Sequence, residues 1–226
     1  MADIGIIGSG TWGTALGMLL DANGHRVTLW SALKDEVEAL SVSRVHPNLP
    51  GIKLPKSMGI TGDLEEAMRE KELLVMAVPS VFVRRTAARM RPWCQKGQIV
   101  VNVAKGIEES TLKTLSQVIE DELPAADVAV LSGPSHAEEV SRGLPTTCVA
   151  GATTRKTAER IQDLFMNEVF RVYTSPDVLG IELGSALKNV IALAAGIADG
   201  LGYGDNAKAA LITRGIAEIA RLGTAM

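Results

Sequence analysis

A doubly wound α/β sheet with mostly parallel strands, followed by the start of an all-helical domain, is the fold class this sequence predicts. Three observations carry the prediction. Short apolar runs alternate with stretches of helical period from the first residues to about Tyr173, the pattern of a parallel sheet with helices on its faces. The first run, Ile4 to Ile7, leads straight into Gly8, Gly10 and Gly13 and then into a helix. After Asp177 there is no further strand candidate.

Each element follows from its residues. Ile4 to Ile7 reads as a buried strand, and Thr14 to Asn23 as a helix carrying Ala15, Leu16, Met18, Leu19 and Leu20. Gly24 closes that helix and Val27 to Trp30 is a second strand. Asp35 to Leu40 predicts a short helix, the prolines of 45–55 a loop, and Ile60-Thr61 a brief strand. Asp63 is the expected N-cap of a helix through Glu70, with Glu66 completing a capping box. Leu73 to Val78 is the next buried strand, closed by Pro79-Ser80, and Val81 to Met90 is helical. Ile99 to Val103 is a strand, and Thr111 to Glu122 a helix that Pro124 stops. Val128 to Leu131 is a strand, and Thr146 to Ala150 and Phe170 to Tyr173 are strands around a helix from Thr157 to Met166. Val178 to Ala198 reads as one long, largely apolar helix, Gly200 to Asp205 as a loop, and Asn206 to Leu222 as a second helix. A helix apolar on most faces must be buried against something. The expected organisation is therefore a sheet domain over 1–176 and the first helices of a helical domain over 177–226.

The glycines point to a ligand. In a strand–turn–helix–strand context, G-x-G-x-x-G makes a Rossmann-like site for a dinucleotide. Gly8 makes the turn, Gly10 lets backbone N–H groups approach a pyrophosphate, and Gly13 lets helix and strand pack closely. The sheet domain is thus expected to bind NAD or NADP.

Composition excludes other classes. The chain has 226 residues, is 46% hydrophobic and 22% charged, and carries a net charge of −3. Its basic residues do not cluster, which argues against nucleic acid. Cys94 and Cys148 are too few for a disulfide framework or metal site, and the three histidines have no metal-ligand spacing. A reducing compartment fits. No uninterrupted apolar run reaches the length of a membrane span; Val190 to Ala198 is the most apolar stretch.

In open α/β sheets, ligands sit at the carboxyl ends of the strands. Val78-Pro79-Ser80, Lys105 and Gly133-Pro134-Ser135 stand there. Lys105 reads either as a phosphate or carbonyl contact or as a solvated lysine. Ser135 reads either as a hydroxyl donor or as the N-cap of a helix from Ala137 to Val140. Lys188, inside the apolar helix beside Leu187, Val190 and Ile191, is costly to bury without a role. Glu182, six residues away, is not at pairing distance on a helix, which favours function over a polar stripe. Arg84-Arg85 reads as a solvated face.

Several blocks resemble bacterial-type NAD(P)-dependent glycerol-3-phosphate dehydrogenase. They are the Gly8 to Leu16 turn, Asn23-Gly24-His25, Val78-Pro79-Ser80, Ala104 to Glu108, Leu131 to Ser135, Phe170 to Tyr173, Lys188 to Ile191 and Ala210 to Gly215. The resemblance covers the chain in order. It implies a cytoplasmic oxidoreductase that interconverts dihydroxyacetone phosphate and sn-glycerol 3-phosphate for phospholipid synthesis. It implies a small-molecule substrate, no nucleic acid and no membrane span, and it leaves room for a homodimer. By carry-over, Thr11, Trp12, Ala137 and Lys105 would meet the cofactor beside Gly8, Gly10 and Gly13 of the turn. Lys105, Gly133 and Ser135 would meet the substrate, and Lys188 would be the proton acceptor, its basicity tuned by burial and by a second cation such as Lys105. No metal is implied.

Two departures stand out. Where the family usually has a basic residue after the second strand, for the 2′-phosphate of NADP, this chain has Ser31-Ala32-Leu33, with Lys34 just beyond. With no acid in 28–33, NADPH is expected to be tolerated. The family's Gly-Leu-Gly-Asp-like and Ser-Arg-Asn-like substrate motifs are also absent, so the resemblance implies a C-terminally truncated chain of weak activity. A non-catalytic dinucleotide-binding fragment and a related hydroxyacid dehydrogenase stay open as alternatives.

Overall fold

The structure is a computed structural model describing residues 1–226. Alternating elements run β1 (Asp3–Ile7), α1 (Thr11–Ala22), β2 (Arg26–Trp30), α2 (Lys34–Ser43), β3 (Gly59–Thr61), α3 (Leu64–Met68), β4 (Leu73–Met76) and α4 (Val83–Met90). They continue through β5 (Ile99–Asn102), α5 (Leu115–Glu122), β6 (Asp127–Ser132), α6 (Ala137–Ser141), β7 (Thr146–Ala152), α7 (Arg155–Phe165) and β8 (Phe170–Ser175). Two long helices end the chain, α8 (Val178–Gly200) and α9 (Gly204–Ala225).

The eight strands form one sheet in the order β3-β2-β1-β4-β5-β6-β7-β8. Because successive strand residues point to opposite faces, the apolar runs feed two cores. Ile4 and Ile6 join Leu16, Leu20, Phe165 and Phe170 on one side, while Ile7 joins Trp30, Leu74, Met76 and Val118 on the other. Burial on both faces explains why the strands are continuously apolar instead of alternating. The order reverses between β1 and β4, and the crevice outside their carboxyl ends is the expected ligand site of such a sheet.

β7 is the exception to parallel pairing: it runs antiparallel to β6 and parallel to β8. The connection from β6 to β7 holds only the one-and-a-half turns of α6, which stays packed on α1. Such a segment does not carry the chain back across the sheet, so β7 starts at the carboxyl end and runs down. The inversion sets the direction of α8. It leaves β8 below the carboxyl edge and rises along β6 and β7, with Ile181 beside Gly151, towards that edge.

Several local expectations need correction. Asp63 does cap α3, accepting from the Glu65 N–H at 2.9 Å. Glu66 does not close the box: its carboxylate takes the Thr61 hydroxyl at 2.6 Å, and Thr61 Oγ1 in turn accepts from the Asp63 N–H. The helix ends at Met68, and Glu70 sits at φ 57°. Residues 107–114 are not helical but form a tight turn closed by an Ile107–Thr114 bridge, and Thr114 with Gln117 builds the capping box of α5. Arg84 is no solvated group. Its guanidinium joins Glu108, Asp121 and Glu122, tying α4 to α5, and holds the Glu108 carboxyl down at about 2.

The count of uninterrupted apolar residues also understated α8. Its most apolar 18-residue window has a mean hydropathy of 1.5, and by length and composition the 23-residue helix is enough to cross a membrane. Its first two turns are docked in the protein instead. Asp177 caps it, Leu183 is buried beside Gly223 of α9, and the buried Glu182 accepts from the Ser116 N–H (2.9 Å), the Ser116 hydroxyl (2.5 Å) and Asn102 Nδ2 (3.2 Å).

Candidate active site

The crevice at β1 and β4 is built by the three glycines, which have different jobs. Gly8 has φ +124°, and a side chain there would meet the Ala77 backbone at 2.7 Å. A Cβ on Gly13 would lie 2.2 Å from the Gly8 carbonyl oxygen. Both are required by the fold itself. Gly10 has nothing within 4 Å of its Cβ position. The space above it is open, and α1 begins there with no side-chain cap and no acid in its first turn. Unmet N–H groups under open space, at the positive end of a helix, fit a pyrophosphate. The one buried side-chain polar atom without a partner, Trp12 Nε1, lies in the same turn. The residues present therefore fit a bound dinucleotide.

The crevice continues along the carboxyl edge. A cavity of about 320 Å³ holds Gly10, Thr11, Trp12, Pro79, Lys105 and Ser135. Ala137, first residue of α6, packs half-buried on the same core as Trp12. Lys105 is aimed by Asn102, whose side-chain amide brackets the next turn: Oδ1 accepts from the Ala104 N–H at 3.1 Å and Nδ2 donates to the Ala104 carbonyl at 3.2 Å. Lys105 Nζ donates to Ser135 Oγ at 2.5 Å and lies 5.5 Å from the Trp12 ring centroid. Burial, and then the charge of Lys188, hold the Lys105 ammonium below the usual lysine range. It is not a solvated lysine.

A second, larger cavity of about 690 Å³ lies between the β6 end and α8, lined by Gly133, Ser135, Gly180, Gly184, Ser185 and Lys188 among others. Gly133 must be glycine, since a Cβ would meet the Thr147 carbonyl oxygen at 2.5 Å. Ser135 is not a helix cap; the N-cap of α6 is His136, which gives no side-chain bond. The Ser135 Oγ accepts from Lys105 and keeps its own O–H proton for a ligand, and Ser135 lines both cavities. Beneath Gly133, burial pushes the Cys148 thiol up to about 11, against the pull of Lys105, so it stays an inert packing group.

Lys188 reaches this cleft but is not buried. Its side chain is exposed and its Nζ donates to Asn189 Oδ1 at 2.8 Å. The buried ionisable residue of α8 is Glu182. The sequence reading missed Glu182 and Asn102. A polar residue at the end of an apolar strand was the available signal for Asn102; for Glu182 there was none, because its partners lie 66 and 80 residues away. It also missed Glu36, which takes the hydroxyls of Ser9 and Ser31, and His46, whose Nε2 lies 3.0 Å from the Ser9 carbonyl and braces the glycine turn. Lys34 stands outside, paired at 4.0 Å with Glu38.

Residues 3–158 match the family model of the NAD-dependent glycerol-3-phosphate dehydrogenase N-terminus, and residues 177–226 that of its C-terminus. The NAD(P)+ glycerol-3-phosphate dehydrogenase of Agathobacter rectalis is 65% identical over the whole chain, which covers 68% of that relative. That of Fusobacterium nucleatum is 56% identical, with the same coverage. The crystal structure of glycerol-3-phosphate dehydrogenase from Coxiella burnetii superposes with a TM-score of 0.93 at 34% identity, covering 99% of this chain and 69% of that one.

Proposed function

Since this chain belongs to the NAD-dependent glycerol-3-phosphate dehydrogenase family, we propose that Lys188, Lys105, Gly133 and Ser135 are the residues with which it performs that family's reaction. The reaction is reversible reduction of dihydroxyacetone phosphate to sn-glycerol 3-phosphate. The nicotinamide, when bound, supplies or accepts the hydride. The remaining tasks fall to the protein: hold the dinucleotide, orient the substrate, and move one proton on the reacting oxygen.

One observation carries the reading. The dinucleotide crevice and the open cleft meet at Ser135, with the Lys105 ammonium bonded to it. Gly8, Gly10, Thr11, Trp12, Gly13 and Ala137 hold the cofactor side. Gly133 offers its backbone, Ser135 its hydroxyl and Lys105 its charge to the phosphate-bearing substrate. Lys188, on the far wall, gives the proton to the developing alkoxide in reduction and takes it back in oxidation. A second reading exchanges the two lysines, because Lys105 is the one whose proton is already loosened.

The substitution Lys188→Met separates them. We expect kcat to fall by roughly 10²–10⁴, the usual worth of acid–base catalysis, with NADH affinity little changed. Turnover is measured in the chain and in a fusion carrying the C-terminal third of the Agathobacter rectalis relative. A near-normal kcat with an unaltered pH profile would assign the proton transfer to Lys105.

The same reading divides the chain at 176 into a dinucleotide-binding domain and the first helices of a substrate domain. It includes supply of phospholipid synthesis, a cytoplasmic location and no nucleic-acid partner, in keeping with two free cysteines and a net charge of −3. It also includes a homodimer. The exposed Val190, Leu193, Ile197 and Ile216 of α8 and α9 support an assembly that covers them, and light scattering tests it.

A further inference from the structure

The glycine turn opens away from Lys105 into a separate cavity of about 330 Å³, between the end of β2 and the outer face of α4. It lies beside Gly8 and Gly10, where the adenosine half of a dinucleotide follows from the pyrophosphate. Its two walls carry opposite charge. On one, Glu36 of α2 accepts the Ser9 hydroxyl at 2.6 Å and that of Ser31, both through Oε2, which leaves Oε1 free. On the other, Arg85 and Arg89 stand one turn apart on α4. Each guanidinium lies over an aromatic ring of the cavity: Arg85 5.0 Å from the Phe82 centroid, Arg89 5.5 Å from that of Trp30. Neither has an acidic partner within ion-pair distance, whereas their neighbour Arg84 has three.

We propose that these three residues set the choice between the two dinucleotides. Glu36 accepts the adenosine ribose hydroxyls of NAD(H), and Arg85 and Arg89 bind the 2′-phosphate of NADP(H). A carboxylate with a free oxygen is the acceptor a ribose diol needs, and it repels a phosphate ester in the same place. Two guanidiniums set against aromatic rings present planar donor forks to a phosphate, with less side-chain freedom left to lose than a free lysine has. The carboxylate reaches the ribose from the first turn of α2, not from the end of β2, and the cations come from α4. Lys34 does not line this cavity; it is 87% exposed and lies 4.0 Å from Glu38.

The assignment rests on the dinucleotide reading above, and the test keeps the two apart. NADH and NADPH are titrated by fluorescence, and 5′-AMP and adenosine 2′,5′-bisphosphate by calorimetry, at low salt. The parent chain is compared with Arg85→Gln/Arg89→Gln, Glu36→Gln and Lys34→Gln. The arginines are exposed, and glutamine keeps an oxygen for Ser9 and Ser31, so thermal melts should show folded variants. The double arginine variant should lower the NADPH-to-NADH affinity ratio on the order of tenfold or more, one charge-assisted bond being worth about that factor. It should erase the advantage of the bisphosphate over 5′-AMP. Glu36→Gln should raise the ratio on the order of tenfold by the same reasoning, and Lys34→Gln should leave it in place. A ratio unmoved by the arginine and glutamate substitutions, or moved by Lys34→Gln, overturns this assignment alone. A parent chain that binds neither dinucleotide overturns the dinucleotide reading and this assignment with it.

Discussion

Glu182 offers a quantitative test of how α8 is held so that Lys188 stands at the cleft. Its carboxylate is buried without a cation, on acceptor bonds from the Ser116 N–H, the Ser116 hydroxyl and Asn102 Nδ2. Truncation to alanine strands the Ser116 N–H, an unpaired donor at the start of α5, at about 2 kcal/mol. The Ser116 hydroxyl retains Thr114 at 3.2 Å, and Asn102 retains the Ala104 carbonyl. Those two bonds to a charged acceptor add about 1.5 kcal/mol each. Against this stands the relief of a desolvated charge, several kcal/mol at the upper end. The net expectation for Glu182→Ala is a loss of about 2–3 kcal/mol, or roughly 4–12 °C in Tm for a chain of this size. Glu182→Gln keeps one oxygen and should lose about 1 kcal/mol. Urea unfolding followed by far-ultraviolet circular dichroism gives the stabilities, and hydrogen exchange at the Ser116 amide shows whether the loss is local. A glutamine variant more stable than the parent, or an alanine variant with undiminished Ser116 protection, would refute the reasoning.

Three shorter predictions concern the site and its support. Gly10→Val should change stability by only about 1 kcal/mol, since its Cβ meets open space and the position is an N-cap, yet weaken NADH binding by an order of magnitude or more in a fluorescence titration. Equal affinities would dismiss the placement of the pyrophosphate. Lys105→Met removes an ammonium whose folded pKa lies below its unfolded value near 10.4. The charge penalty is fully present below the folded pKa and fades as pH rises from there towards 10.4, so the variant's relative Tm should be highest near neutrality and decline through the alkaline range. A pH-independent difference would count against a strained ammonium. Arg84→Gln should lower Tm at pH 7, and the deficit should shrink as pH falls from about 4 towards about 2, because a depressed carboxyl such as Glu108 loses its stabilising contribution there. A deficit that persists below that range would mean the arginine acts through packing.

What the sequence by itself determined is local in origin. The β1–α1–β2 unit rests on backbone sterics at Gly8 and Gly13 and on the change from continuous apolar residues to helical period, both contained within thirty positions. The buried strands β4, β5 and β6 are legible for the same reason, and with them the carboxyl edge where Lys105, Gly133 and Ser135 stand. Only the tertiary structure decided which of these residues meet and how wet they are. The direction of β7 depends on where a short connection leaves the chain, not on the residues of the strand. Reading Lys188 as buried failed because a helix's apolar residues do not say which neighbours cover them; here the covered turn belongs to Glu182 and Leu183, and the lysine stands in the open. The absence of an acid in 28–33 said nothing of Glu36, which the first turn of α2 folds back and brings to Ser9, 27 positions earlier. Bonds such as Lys105 to Ser135 and Glu182 to Ser116 join segments 30 and 66 residues apart, and the sheet order that brings them together is a property of the whole packed chain.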